Sequence, residues 1–240
     1  MSRFKYGWKP DLPDFRDFKY AAVRPPVTFP PIVDLRSQCS AVENQLQIGS
    51  CTANALAGNL EFIHPDFQAS RLFIYYNERV LEGTVASDVG ANLRDGIKAL
   101  VNMGVCSEKL WPYVPAEFSV KPYQSCYEAA LQGVITSYHR LNGKNDWLNC
   151  LVEGFPFVFG FTVYDNFETD EVAKSGILEM PTNRDSIIGG HAVCAVGYNL
   201  ADQTLLVRNS WGADWGMGGY FTMPFEYAEE MADDFWTIRK

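Results

Sequence analysis

The constraint that narrows the fold most is a change of hydrophobic period near the middle of the chain. From Cys51 onward, Ala53, Leu56, Ala57, Leu60 and Ile63 recur at helical spacing until Pro65 stops the run. A second helix is predicted over 71–81. A third is predicted over 92–102, with Leu93, Ile97, Leu100 and Val101 inward and Gly104 closing it. Further on the pattern differs. Residues 155–163 and 192–197 are aromatic and β-branched runs, and 204–208 and 219–223 are short strand candidates punctuated by Gly and Asn. A helical half followed by a strand-rich half predicts an α+β fold with a cleft between two lobes.

Ahead of this pattern lies a lead-in that fits neither period. Residues 1–38 hold six of the thirteen prolines, and proline fixes φ and removes a backbone donor. An extended arm is expected there, not a domain. The expected division is an arm over 1–29, a mainly helical lobe over 30–135 and a β-rich lobe over 136–240. The charge excludes several partners: 29 acidic against 20 basic residues give −9 at pH 7, whereas phosphate binding needs clustered Lys and Arg. No nucleic-acid partner is expected. No apolar stretch approaches the roughly 18 residues of a membrane span, and the N-terminus has no signal-peptide core. A monomer, cytoplasmic by default and without membrane attachment, is expected.

The six cysteines, Cys39, Cys51, Cys106, Cys126, Cys150 and Cys194, show no C-x-x-C pair, and His64, His139 and His191 are far apart. No metal site and no cofactor are expected from such spacing. Three disulfides are allowed by parity, but a reducing compartment disfavours them. Cys51 stands out because it opens the first amphipathic helix after Gly49-Ser50. A thiol there meets the positive end of the helix dipole, so thiolate is expected to be favoured. A small buried hydrophobe starting a core helix is the plainer alternative. His191 follows Gly189-Gly190 at the entry to a strand, and Asn209 sits in Arg208-Asn209-Ser210-Trp211-Gly212. An asparagine can accept a hydrogen bond from one imidazole nitrogen and leave the other for a thiol.

Gln45…Gly49-Ser50-Cys51, His191-Ala192-Val193-Cys194-Ala195-Val196-Gly197-Tyr198 and Asn209-Ser210-Trp211-Gly212…Trp215-Gly216 together resemble the papain family of cysteine proteases. The order Cys, His, Asn and the separation of about 130–150 residues match that family's pattern. The resemblance covers about residues 30–225, and Pro31-Ile32-Val33-Asp34-Leu35-Arg36 is similar to the start of a mature domain. It implies a papain-like two-lobed fold and a cysteine endopeptidase that hydrolyses peptide or protein substrates through a Cys51 thioester. By the same resemblance His191 is base and acid, Asn209 orients it, and Gln45 donates to the oxyanion. Trp211 would shield the His–Asn bond, and Trp215 would line the leaving-group side. Gly90 would pair with an extended substrate, and Gly160 and Gly190 would surround the pocket for the second residue before the scissile bond. A transamidase using the same triad and a catalytically silent peptide-binding homologue are the alternatives. The chain departs from the pattern at Ile48, where the family has a cysteine, at Asp88, where that cysteine's partner aligns, and at Thr52, where an aromatic is usual. Val89-Gly90-Ala91-Asn92-Leu93-Arg94-Asp95-Gly96 combined with a short leader is more similar to microbial or viral branches than to animal cathepsins.

Overall fold

Helix α1 (Cys51–Ile63) is buried on every side from Cys51 to Glu61, and a helix without a polar face belongs inside a protein. In the computed structural model, which describes residues 4–20, 28–131 and 135–239, α1 lies between two layers. On one side are α2 (Arg71–Glu82) and α3 (Leu93–Met103); on the other is the long strand β4 (Ile187–Asn199). Local signals set the helix ends. The Ser70 hydroxyl accepts from the Phe73 N–H at the start of α2, and Gly83, at φ 69°, closes it in the left-handed region.

The second layer is an antiparallel sheet. Its order is β2 (Ser137–Arg140), β7 (Ala232–Arg239), β3 (Phe157–Tyr164), β4, β5 (Thr204–Arg208) and β6 (Tyr220–Pro224). Strand β1 (Ile32–Asp34) continues along β4 from Gly197 to Asn199, beyond the stretch that β3 pairs. Strand β3 is apolar and buried from Phe157 to Phe161, and it packs against α1, α3, α5 (Lys144–Val152) and α7 (Phe225–Met231). Two shorter helices, α4 (Gln124–Ala130) and α6 (Asp170–Ser175), complete the set among the described residues. The architecture is α+β, as the change of period predicts.

Three differences from the sequence reading stand out. Strand β4 begins at Ile187, so Gly189 and Gly190 are already strand residues and His191 lies inside the strand, not at its entry. Strand β1 lies inside the proline-rich lead-in, where no central strand is expected, and it is only three residues long. Strand β7 carries an acidic pair and a left-handed residue, Asp234 at φ 58°, which hide its period.

The N-terminal arm is the feature that bears on function. Residues 7–9 run between the loop before α3 and strand β4. The Trp8 N–H donates to the Gly190 carbonyl at 3.0 Å, the Lys9 N–H to the Ala91 carbonyl at 3.2 Å, and the Ala91 N–H to the Gly7 carbonyl at 2.8 Å. Farther along, the arm lies on the edge of β2, where Tyr20 and Phe18 exchange backbone hydrogen bonds with Arg140. Arg94 ties its middle down through Asp17 at 2.6 Å. Residues 1–3 and 21–27 of the expected arm lie outside the described residues.

Candidate active site

Cys51 is the first residue of α1, and His191 lies on β4, the strand that packs along that helix. Asn209 directly follows β5, the neighbour of β4. The sheet register brings together His191 and Asn209, 18 positions apart in sequence, and the packing of α1 on β4 sets Cys51 against the Ala192 backbone. His191 Nε2 is 2.8 Å from Asn209 Oδ1. The same oxygen accepts from the Ser210 N–H at 2.8 Å. A backbone N–H can only donate, so the amide oxygen must face both groups, and Nε2 must carry the proton. Nδ1 is then the free lone pair; it is buried and has no hydrogen-bond partner. Trp211 lies 5.1 Å from the His191 ring in a stacked arrangement, and Trp215 meets Trp211 edge-on at 5.1 Å.

Gln45 is fully buried. Its Nε2 donates to the Ile48 carbonyl at 3.1 Å, which fixes the amide orientation, and its Oε1 accepts from the Ser210 hydroxyl at 2.7 Å. Ser210 is thus a positioning group that sequence reasoning missed, although it sits inside a quoted motif. The second Nε2 hydrogen reaches the Lys5 carbonyl of the arm at 3.1 Å. A peptide carbonyl already occupies the donor.

The remaining predicted positions also meet the arm. Gly90, at φ 74°, packs so tightly on Gly7 that a Cβ there would lie 1.7 Å from the Gly7 carbonyl oxygen. A Cβ on Gly7 would in turn lie 1.8 Å from the Gly49 carbonyl oxygen. Trp8 covers Gly160, where an added Cβ would fall 1.9 Å from the indole. The indole N–H donates to Asp234 Oδ2 at 3.2 Å. Tyr6 lies edge-on to His191 at 5.8 Å and donates to Glu168 at 2.6 Å, while Phe4 stacks on Trp211 at 3.6 Å. No motif marks Trp8, Glu168 or Asp234, because their roles arise only from the path of the arm.

Burial reverses the expected charge state. It pushes the Cys51 thiol up to about 11, against the Ala192 and Gly7 backbone N–H groups that favour thiolate. It pulls His191 down to about 4, with Asn209 opposing the shift only in part. The helix dipole acts on Cys51 as expected, but under the docked arm desolvation outweighs it, and thiol and imidazole are both neutral. All six cysteines are free, and Asp88 and Ile48 stand where a disulfide is absent. Among the described residues no cluster of His, Cys, Asp and Glu fits a metal ion, and no helix is long and apolar enough to cross a membrane.

Comparison with known proteins matches residues 29–233 to the model of the papain family cysteine proteases. A peptidase C1-like protein of Acanthamoeba polyphaga mimivirus is 40% identical over 98% of this chain and 86% of its own length. Chymopapain of Carica papaya is 27% identical over 88% of this chain, which spans 58% of that protein. Among solved structures, xylellain, a cysteine protease from Xylella fastidiosa, superposes with a TM-score of 0.90 at 42% identity, covering 100% of this chain and 98% of that one.

Proposed function

Because this chain belongs to the papain family of cysteine proteases and is a cysteine peptidase, we propose that it is an endopeptidase working through a thioester on Cys51. One observation carries the reading: a peptide carbonyl rests on Gln45 Nε2 at 3.1 Å, where a substrate carbonyl would develop negative charge. In this mechanism His191 Nδ1 takes the Cys51 proton, and the sulfur attacks the carbonyl carbon. Gln45 and the Cys51 N–H hold the oxyanion, a pair in which one such donor is worth about 3 kcal/mol in the transition state. The imidazolium protonates the leaving amine, and water, activated by His191, then cleaves the thioester. Asn209 holds the tautomer throughout.

The lobes take separate parts in this reading. Residues 30–135 present the nucleophile on α1, residues 136–240 present His191 and Asn209, and residues 1–29 are a regulatory arm. Product analysis of a peptide digest with and without added amine tests the reaction. Free acids at internal sites in both samples are expected. Amide products that displace them would instead establish the transamidase. Iodoacetamide labelling of Cys51 at pH 5 tests for a silent homologue. Slow labelling of the full chain and fast labelling once the arm is displaced are expected; slow labelling in both states would mean that no ion pair forms.

The pocket between Gly160 and Gly190 should accept a large aromatic at the second residue before the scissile bond, since Trp8 lies on both glycines. Peptide-library profiling is expected to favour Trp, Tyr and Phe there over Ala. A preference for small residues would remove Gly160 and Gly190 from this pocket.

Arm docking should also depend on pH. Burial and the neighbouring Asp11 push Asp234 up to about 7, and burial raises Asp11 as well. Facing this pair are Trp8 of the arm, Arg94 of α3, Arg140 of the neighbouring strand β2, and Asp233 and Trp236 of β7 itself. Both carboxyls are raised, so the docked state holds more protons than the released one. Docking is favoured at low pH and weakens as pH rises from about 4, the ordinary carboxylate value, through about 7. The kcat/KM ratio of an arm-released variant to the full chain should therefore fall between pH 5 and pH 8. A ratio independent of pH would contradict this.

A further inference from the structure

Resting on the reading that Gln45 holds the oxyanion, we propose that Tyr113 is a positioning residue for that donor. Its hydroxyl bridges the Gln45 carbonyl and the Ser50 side chain, and so sets the gap between the Gln45 amide and the Cys51 N–H. The bridge runs in one direction. A carbonyl can only accept, so the single Tyr113 proton goes to Gln45 at 2.8 Å. Ser50 must then donate to Tyr113 Oη, at 2.5 Å, and its own Oγ accepts from Asn54 Nδ2 at 3.0 Å. Asn54 Oδ1 in turn accepts from Arg71 Nη1 at 3.4 Å. Burial pushes the Tyr113 phenol up to about 12, which keeps it a donor.

Two features tie the bridge to the site. Ser50 occupies the N-cap of α1, where a serine ordinarily accepts from an N–H of the first turn. It makes no such bond and gives its hydroxyl to Tyr113 instead. Leu46, next to Gln45, sits at φ 55°, a region that a residue with a Cβ rarely takes. The peptide between them is therefore poised to turn once its carbonyl is released. Ser210 and the Ile48 carbonyl hold the Gln45 amide group, and Tyr113 holds the backbone from which it hangs. Arg71 fixes the phenol from its other side. Its guanidinium lies over the Tyr113 ring, 3.9 Å from the centre, and pairs with Glu43 at 2.9 Å and Glu108 at 2.7 Å. Gln45, Ser50 and Asn54 are all buried, so losing one member leaves polar groups of the others unpaired. Tyr113 lies 68 positions from Gln45, and only the fold brings the two together.

The test compares kcat/KM on a short peptide with the rate at which methyl methanethiosulfonate blocks Cys51, in the full chain carrying Gly7→Ala. Blocking the thiol needs a thiolate and builds no oxyanion. Tyr113→Phe removes only the hydroxyl. It is expected to lower kcat/KM about ten- to a hundredfold, short of the roughly hundred- to thousandfold for outright loss of a donor. Thiol blocking should stay within about twofold. A double-mutant cycle isolates the route. In a Gln45→Ala background the further loss from Tyr113→Phe should shrink to within about threefold, because the amide it places is gone. Unchanged kcat/KM in Tyr113→Phe, thiol blocking that falls in step with turnover, or full additivity with Gln45→Ala each overturns the proposal. Should Tyr113→Phe not fold, Ser50→Ala breaks the same bridge from its other end, and unchanged turnover there overturns the proposal equally. Gln45→Ala alone tests the underlying reading. A loss below about threefold would remove the oxyanion role and this proposal with it, whereas a large loss beside an inert Tyr113→Phe removes the proposal alone.

Discussion

Gly7→Ala is expected to raise kcat/KM on a short peptide by about five- to a hundredfold, a gain that corresponds to about 1–3 kcal/mol of overpacking at the arm. The added methyl would lie 1.8 Å from the Gly49 carbonyl oxygen, well inside van der Waals contact. Neither side can move aside easily. Gly49 is held by its N–H bond to Asp88, and Gly90, on the opposite wall, is in the left-handed region with its own backbone against Gly7. The arm must therefore withdraw, taking the Lys5 carbonyl off Gln45 and Trp8 off the two glycines. Steady-state assay beside a thermal melt separates two roles. Unchanged kcat/KM with a lowered Tm would mean that the arm is a strap and not a regulator. Its second half, paired with Arg140 and Arg94, already contributes to holding the strands, so some loss of Tm is expected in either case.

Cys51→Ala, made in that released background, is expected to lower kcat by about 10⁴-fold or more, the scale on which removal of a nucleophile acts. Cys106→Ala, Cys126→Ala and Cys150→Ala should keep catalysis, because those thiols are buried core groups, and burial pushes Cys106 up to about 12 and Cys150 up to about 11. Their cost should appear in Tm instead, since each removes packed volume. Full turnover by Cys51→Ala would end the thioester mechanism.

The residues that were legible in the sequence are those whose signal is local. Helix α1 announces itself by period and by Pro65, and β5 by a short β-branched run between turns. The pairing of His191 with Asn209 is legible because each sits in a short local motif, and the structure places His191 on β4 and Asn209 directly after its neighbour β5. Strand β7 is not, since Asp233 and the left-handed Asp234 interrupt the alternation, and Trp8, Asp11 and Arg140 satisfy the Asp234 carboxylate. The charge state of Cys51 is hidden from the sequence for the same kind of reason. A helix N-terminus favours thiolate, yet the covering backbone comes from residues more than forty positions earlier, and no window around Cys51 contains it.

An inhibitory segment carried on the same chain as its cleft acts at an effective concentration, one on the order of millimolar for a short flexible tether. Diluting the protein leaves that concentration unchanged, so dilution does not activate it. A substrate competes with Gly7 and Trp8 for the same backbone partners, and its apparent affinity is reduced by the fraction of molecules that are open. The arm should accordingly inflate KM while leaving kcat at saturation intact. Long substrates that engage Gly90 and Gly190 at many points would then overcome it, whereas short ones would not.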